Sequence, residues 1–201
     1  MIDILIFCIG TAFFTWVSRQ ALLKPRSHGF YRYIAWECML VLVLVNFPKW
    51  TVDPFSPRQI ASWLLLGLSA ALAIHAVQLL RAIGRPSQER ADAELFGFEK
   101  TSQLVTVGAF RYIRHPMYAA LLFLAWGAYL KDISVPSSVL IALISLALFL
   151  TARRDEDECK SYFGAEYTDY MRRTRLFVPF VFSRLRPQRW LRALRLSNSA
   201  S

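Results

Sequence analysis

The sequence predicts an all-α, polytopic membrane protein with about five transmembrane helices and a sizeable cytoplasmic cap. Two observations carry that prediction. The chain is 55% hydrophobic over 201 residues, and its apolar residues are gathered into blocks rather than spread at the spacing of a soluble helix or strand. Its basic residues fall almost entirely on one side of those blocks.

The blocks run Ile2–Val17, Tyr31–Phe47, Ile60–Leu80, Pro116–Leu130 and Ser134–Thr151. A spanning helix needs about 20 mostly apolar residues to cross a hydrocarbon layer of ~30 Å. The third block meets that easily. The first, second and fourth are short and need flanking aromatics or snorkelling basic side chains to complete the span. The first has no basic flank ahead of it and no clear small-residue cleavage site, so it reads as a retained helix rather than a signal peptide.

Taken without position, a net charge of +10 would suggest nucleic acid. Assigning the connecting segments alternately to two sides gives another answer. Of the 24 Lys and Arg residues, 21 fall on one side, and only Lys49, Arg58 and Lys131 fall on the other. This positive-inside pattern puts the N-terminus outside and the C-terminus in the cytoplasm. Trp50, near Lys49 and Arg58, and Trp126 and Tyr129, near Lys131, fit an outer aromatic belt. A nucleic-acid partner would need one continuous basic face on a soluble fold, and is set aside.

The length suggests one domain, 1–201. Three spans occupy 1–80, a cap with the last two spans occupies 81–179, and a basic tail occupies 180–201. Cys8, Cys38 and Cys159 have no metal spacing and read as reduced thiols. His28, His75 and His115 are never paired at i, i+3 or i+4, so no metal is expected.

Chemistry can reside in the two cytoplasmic stretches that exceed what connections need. The first, Arg81 to His115, carries turn signals at Gly84, Pro86, Gly97 and Gly108. It ends in "FRYIRHP", where Pro116 marks a helix start, because its missing N–H would be unsatisfied there anyway. The N–H groups of Met117, Tyr118 and Ala119 then point at the interface, and with Arg111 and Arg114 nearby they suit a carboxylate or phosphate. Simple anchoring of the helix to lipid headgroups is the plainer alternative.

The second stretch, "RRDEDECKSYFGAEYTDYMRR", reads as helix. Glu156, Lys160, Phe163, Tyr167 and Tyr170 share one stripe, with an acidic residue at the end of an aromatic row. Gly164 interrupts it and predicts a kink or a close contact. Within the spans, Glu37 and His75 each lie about six residues inside the cytoplasmic end, roughly 9 Å deep at 1.5 Å per residue. Buried ionisable groups in spans face partners or polar cavities. We therefore expect Glu37 and His75 to be paired or to line one cavity. The tail, with Arg189, Arg192 and Arg195 along one side, reads as an interfacial helix on anionic lipid.

Two of these motifs together, "QLVTVGAFRYIRHPMY" (103–118) and "DEDECKSYFGAEYTDY" (155–170), resemble the isoprenylcysteine carboxyl methyltransferase family, to which phospholipid N-methyltransferases are related. They stand in order with a helical hairpin between them and cover roughly the C-terminal half. The resemblance implies an integral membrane methyltransferase using S-adenosyl-L-methionine, with the cap as its catalytic part. It implies cofactor contacts at Gln103, Leu104, Val105, Phe110, His115, Pro116, Met117, Tyr118 and Glu156. Glu156, Arg153 and Arg154 become the catalytic candidates, and Glu37, His75 and Tyr167 the candidates for a substrate cavity.

The sequence departs from the family pattern at Ser102, Ala109 and Ala120, and its acidic pair is Asp155–Glu156. Where the carboxyl methyltransferases place an acceptor-handling arginine, Ala152 stands, with Arg153 and Arg154 beside it. The expected reaction is methyl transfer to a lipophilic, membrane-embedded acceptor, foremost O-methylation of the isoprenylcysteine type. An amine, phospholipid or thiol acceptor is the alternative, ahead of an NADPH-dependent reductase or a non-catalytic scaffold. With eight glycines and no Gly-X-Gly, the chain offers no Rossmann phosphate loop.

Overall fold

A computed structural model describes residues 2–84 and 101–177. Arg85, Pro86, Arg90, Gly97, Lys100 and the basic tail lie outside the described residues, so the interfacial helix expected for the tail does too. Among the described residues the main elements are six α-helices: α1 (Ile2–Leu22), α2 (His28–Asn46), α3 (Pro57–Ala82), α4 (Pro116–Tyr129), α5 (Val135–Phe163) and α6 (Ala165–Arg173). Short 3₁₀ turns occupy Phe47–Lys49 and Gly108–Arg111.

Local chemistry sets the helix starts. Ser27, Ser56 and Ser134 are N-caps whose hydroxyls accept from the N–H groups of Phe30, Gln59 and Ser137. Pro57 and Pro116 occupy the first helical position, where no N–H is needed. α1, α2, α3 and α5 are long and apolar enough to cross a membrane. The five predicted blocks all became helices, but α5 runs past its apolar block to Phe163, because nothing in the charged stretch after Thr151 breaks a helix before Gly164.

The helices pack in the order α1, α2, α5, α4, α3, with α1 against α2 and α3 against α4. The centre is built from Ala35, Met39 and Leu42 of α2, Ala125 and Ala128 of α4, and Ile141, Ile144, Ala147 and Leu148 of α5. Alanines let the backbones approach closely where lipid supplies no hydrophobic drive between helices. Hydroxyl and amide side chains add interhelical hydrogen bonds. Ser62 donates to the Gly127 carbonyl and Ser69 to the Ala120 carbonyl, both at 2.7 Å. Asn46 donates to the Ala128 carbonyl at 2.9 Å and accepts from Ser137 at 2.8 Å.

At the loop side Asn46 ties the end of α2 to that of α4, and the facing ends of α3 and α4 are tied by Lys131. It is fully buried, with Nζ 3.0 Å from Gln59 Oε1 and 3.4 Å from the Trp63 ring centre. The sequence placed Lys131 near Trp126 and Tyr129 of an outer aromatic belt. The side chain itself is enclosed under Trp63 and Trp50, where the ring faces attract its charge.

With those ends tied, the other end of α4 is recessed. With 14 residues α4 is about 21 Å long, and from the Ser69–Ala120 contact α3 continues some 20 Å while α4 continues only some 6 Å. The start of α4 therefore sits well below the end of α3. α5, about 43 Å long, overshoots on the other side, so its last turns project beyond a 30 Å hydrocarbon layer.

The expected Glu37–His75 partnership is not formed. Glu37 accepts a hydrogen bond from Thr11 of α1 at 2.8 Å. His75 is exposed and lies against Gly108, where a Cβ would stand 2.7 Å from its Nε2. Their depth along the chain axis was readable, but their direction was not. Glu37 looks toward α1, and α5 and α4 stand between α2 and α3 in the packing order.

Candidate active site

The recess between the ends of α3, α4, α5 and α6 holds a cavity that is open on one side. Its floor is the first turn of α4. His115 is the N-cap but makes no side-chain cap bond, and Pro116 follows it. Ala119 N–H returns to the His115 carbonyl at 2.9 Å, closing the first turn of the helix. His115, Pro116, Met117 and Tyr118 all line the cavity.

One wall is the loop that reaches α4. The N–H groups of Ser102 and Gln103 donate to the Gly84 carbonyl at the end of α3, and Leu104, Val105 and Phe110 turn inward. Gly108 adopts φ +58°, and its missing side chain lets the loop lie against Leu79 and His75. The opposite wall comes from α5 and α6. Gly164 adopts φ +59° and ψ −127°, outside the helical region, so α5 stops and α6 folds back to bring Tyr167 and Tyr170 over the recess. Tyr170 Oη donates to the Phe110 carbonyl at 2.6 Å. After α6, the chain pairs with the loop: Arg114 N–H donates to the Arg175 carbonyl and Arg175 N–H to the Tyr112 carbonyl.

Ionised groups sit at the junction of these walls. Glu156 is fully buried, and Arg114 Nε donates to it at 2.6 Å. The same guanidinium donates to the Met171 and Thr174 carbonyls, anchoring the end of α6. Asp155 faces the cavity, with Oδ2 3.4 Å from His115 Nδ1. Burial alone would raise the Asp155 carboxyl, but the facing imidazole of His115 and the Tyr118 hydroxyl hold it well below the usual range. Burial alone would lower His115, but the carboxylates of Asp155 and Glu156 outweigh it and hold the imidazole above its ordinary value. His115 Nε2 is buried and has no hydrogen-bond partner; Glu156 Oε1, at 3.8 Å, supplies charge but not a hydrogen bond. Tyr118 stacks on the His115 ring at 5.3 Å, while Phe163, Tyr167 and Tyr170 continue the aromatic surface.

Of the residues singled out in the sequence, Leu104, Val105, Phe110, His115, Pro116, Met117, Tyr118 and Tyr167 line one cavity. Glu156 lies one layer behind it, and the lining carboxylate is Asp155. Gln103 is exposed and outside the lining, as is Arg154. Arg153 is 59% exposed and reaches Glu156 only at 3.5 Å. Glu37 and His75 are not at this cavity. Leu80, Thr101, Arg114, Cys159, Phe163 and Tyr170 belong to it as well. Asp155, Cys159 and Phe163 follow i, i+4, i+8 on α5, a stripe visible in the sequence one residue away from the one chosen.

A model of the phospholipid methyltransferase family matches residues 58–166, more than half of the chain. Among curated proteins, the chain is 28% identical over 154 residues to Methanethiol S-methyltransferase 2 of Bradyrhizobium diazoefficiens, covering 73% of this chain and 58% of that one. It is 31% identical over 86 residues to Protein-S-isoprenylcysteine O-methyltransferase B of Arabidopsis thaliana, covering 41% of this chain and 43% of that one. A probable protein-S-isoprenylcysteine O-methyltransferase of Oryza sativa subsp. indica is 30% identical over 86 residues, 42% of this chain and 44% of its own. The chain thus spans between about two fifths and three fifths of the length of these relatives. No solved structure matches it. The family match runs from the start of α3 to the start of α6 and takes in every cavity-lining residue except Tyr167 and Tyr170, and this chain belongs to the phospholipid methyltransferase family.

Proposed function

We propose that the chain is an integral membrane methyltransferase that uses S-adenosyl-L-methionine to methylate a lipophilic acceptor arriving from the bilayer. The observation that carries this reading is that groups suited to an anion and groups suited to a cation adjoin within one recess. The floor is a helix start with a buried imidazole nitrogen that has no hydrogen-bond partner, and beside it, on the α5 wall, stands an ionised carboxylate among aromatic rings. S-adenosyl-L-methionine has a matching polarity. Its carboxylate suits the α4 N-terminus and His115 Nε2, and its cationic groups suit Asp155 and the faces of Tyr118 and Tyr167. Leu104, Val105 and Phe110 offer an apolar seat for the adenine. Bound there, it supplies a methyl group activated by a sulfonium.

The protein's own part is to bind, orient and exclude water. Glu156 holds Arg114, Arg114 holds α6, and α6 closes the aromatic wall, so Glu156 acts on the cavity through the wall rather than by contact. Because α4 starts below the end of α3, the recess opens at the membrane surface, where a lipophilic acceptor can approach from the bilayer. The charge pattern of the sequence supports placing this end in the cytoplasm.

The acceptor chemistry turns on available charge. An acceptor carboxylate, the foremost expectation from the sequence, needs a cation. Arg153 would have to turn inward to provide it, because Arg114 is committed to Glu156 and two carbonyls. A thiol acceptor is a second reading, favoured by the alignment that covers the larger share of the chain. The test is transfer of a labelled methyl group from S-adenosyl-L-methionine into a total lipid and small-molecule extract by the protein in detergent. Identifying the labelled product names the acceptor, and a folded protein that neither binds the donor nor transfers label would overturn the reading.

A further inference from the structure

A second charged pair sits beside the cavity, and the mechanism above does not use it. His28, the first residue of α2, is fully buried, and its Nδ1 lies 2.7 Å from Glu158 Oε2 and 2.8 Å from Oε1. Glu158 lies on α5, three residues after Asp155 and so on the same face one turn on. Arg32, one turn along α2, is also buried, bringing a second cation to this corner. Both α2 residues lie outside the stretch that matches the family.

The arrangement grips the projecting end of α5 from two sides. His115 and Arg114, at the start of α4, take Asp155 and Glu156; His28, at the start of α2, takes Glu158. The acidic triplet of α5 is thus shared between two helix starts that only the fold brings together. The charge of His28 is also felt at Asp155 itself.

We propose that His28 and Glu158 form a positioning clamp through which α2 fixes the register of the α5 extension and holds the Asp155 carboxylate toward the donor's cationic groups. This rests on the donor assignment made above. The clamp touches neither donor nor acceptor, so its loss changes how well Asp155 is presented rather than what reacts.

The experiment measures steady-state kinetics in detergent for wild type, His28→Gln, Glu158→Gln and the double variant, with Asp157→Asn as an exposed-charge control. The expected result is a rise in donor KM of about three- to tenfold in each single variant, the range of coupling between contacting charged groups. kcat and the acceptor KM should change less than twofold. The double variant should be no worse than the poorer single one, and the control should match wild type. Unchanged donor KM in folded single variants, or losses that multiply in the double, would overturn the clamp. Should His28→Gln fail to fold, the half-exposed Glu158→Gln carries the comparison alone. If wild type shows no donor binding, the donor assignment fails and the clamp with it. If wild type binds donor but the variants bind equally well, only the clamp fails.

Discussion

Replacing Arg114 by Met would strike the joint on which the aromatic wall depends. Three interactions go at once: the 2.6 Å contact with Glu156 and the donations to the Met171 and Thr174 carbonyls. Removing one partner of a buried ion pair costs about 3–5 kcal/mol, because the remaining charge is left in a poor solvent. Glu156 is fully buried, so the penalty is not screened by water, although His115 at 3.8 Å and Arg153 at 3.5 Å soften it. Each lost carbonyl bond adds about 1 kcal/mol. The single variant should therefore lose about 5 kcal/mol, the low end for the softened ion pair plus about 2 kcal/mol for the two carbonyls. Replacing Glu156 by Met as well removes the stranded charge and should recover much of that loss. Equilibrium unfolding in mixed detergent, followed by tryptophan fluorescence, gives the coupling from the four-variant cycle, expected at about 2–3 kcal/mol. A coupling below about 0.5 kcal/mol would mean that Glu156 and Arg114 do not depend on each other, and the indirect role of Glu156 in the cavity would be wrong. Calorimetry on the same proteins should show weaker S-adenosyl-L-methionine binding wherever α6 has come loose.

Gly164→Ala should destabilise the protein by about 1–3 kcal/mol through its backbone conformation, since nothing lies within 4 Å of where the new Cβ would sit; a thermal midpoint at or above wild type would contradict that. The His115–Asp155 pair predicts a pH window for stability. The raised imidazole contributes fully below its unfolded value near 6.5 and is lost as pH climbs through its higher folded value, while the depressed Asp155 contributes above about 3.9 and is lost only in stronger acid. The thermal midpoint should therefore fall on the alkaline side, and His115→Asn should flatten that limb. Lys131→Met removes a cation from under Trp63 and leaves Gln59 Oε1 without its donor, at a cost of about 3 kcal/mol. It should lower the unfolding midpoint and leave donor affinity unchanged, because it acts at the opposite end of α4.

The spans were legible because a bilayer imposes length and hydropathy, and neither depends on tertiary context. The start of α4 was legible for a similar reason: His115–Pro116 is a local backbone signal. The phase of the acidic pair was not. Of the stripe Glu156, Lys160, Phe163, Tyr167 and Tyr170, the three aromatics line the cavity, but Glu156 and Lys160 do not, because which side of α5 faces inward is set by its packing on α2 and α4 rather than by the local spacing. On the real α5, Asp155, Cys159 and Phe163 face inward and Lys160 pairs with Asp157 near the surface. Glu37 and His75 failed differently. Their distance along the helix was sound, but helical order decides azimuth, and no single sequence states which helix stands between two others. The α2 contribution through His28 had no local signal at all, since it depends on α2 lying along α5.

The backbone pairing of Ile113 with Arg175 has a consequence for how the protein is made. Its two partners lie on either side of the α4–α5 hairpin, so they cannot meet until both spans have crossed the bilayer and the chain has emerged again. Until then the loop before α4 has no edge to pair with, and Tyr170 cannot reach Phe110. Completion of the recess is thereby tied to completion of membrane insertion, and a chain stalled with one span missing would lack one of its walls.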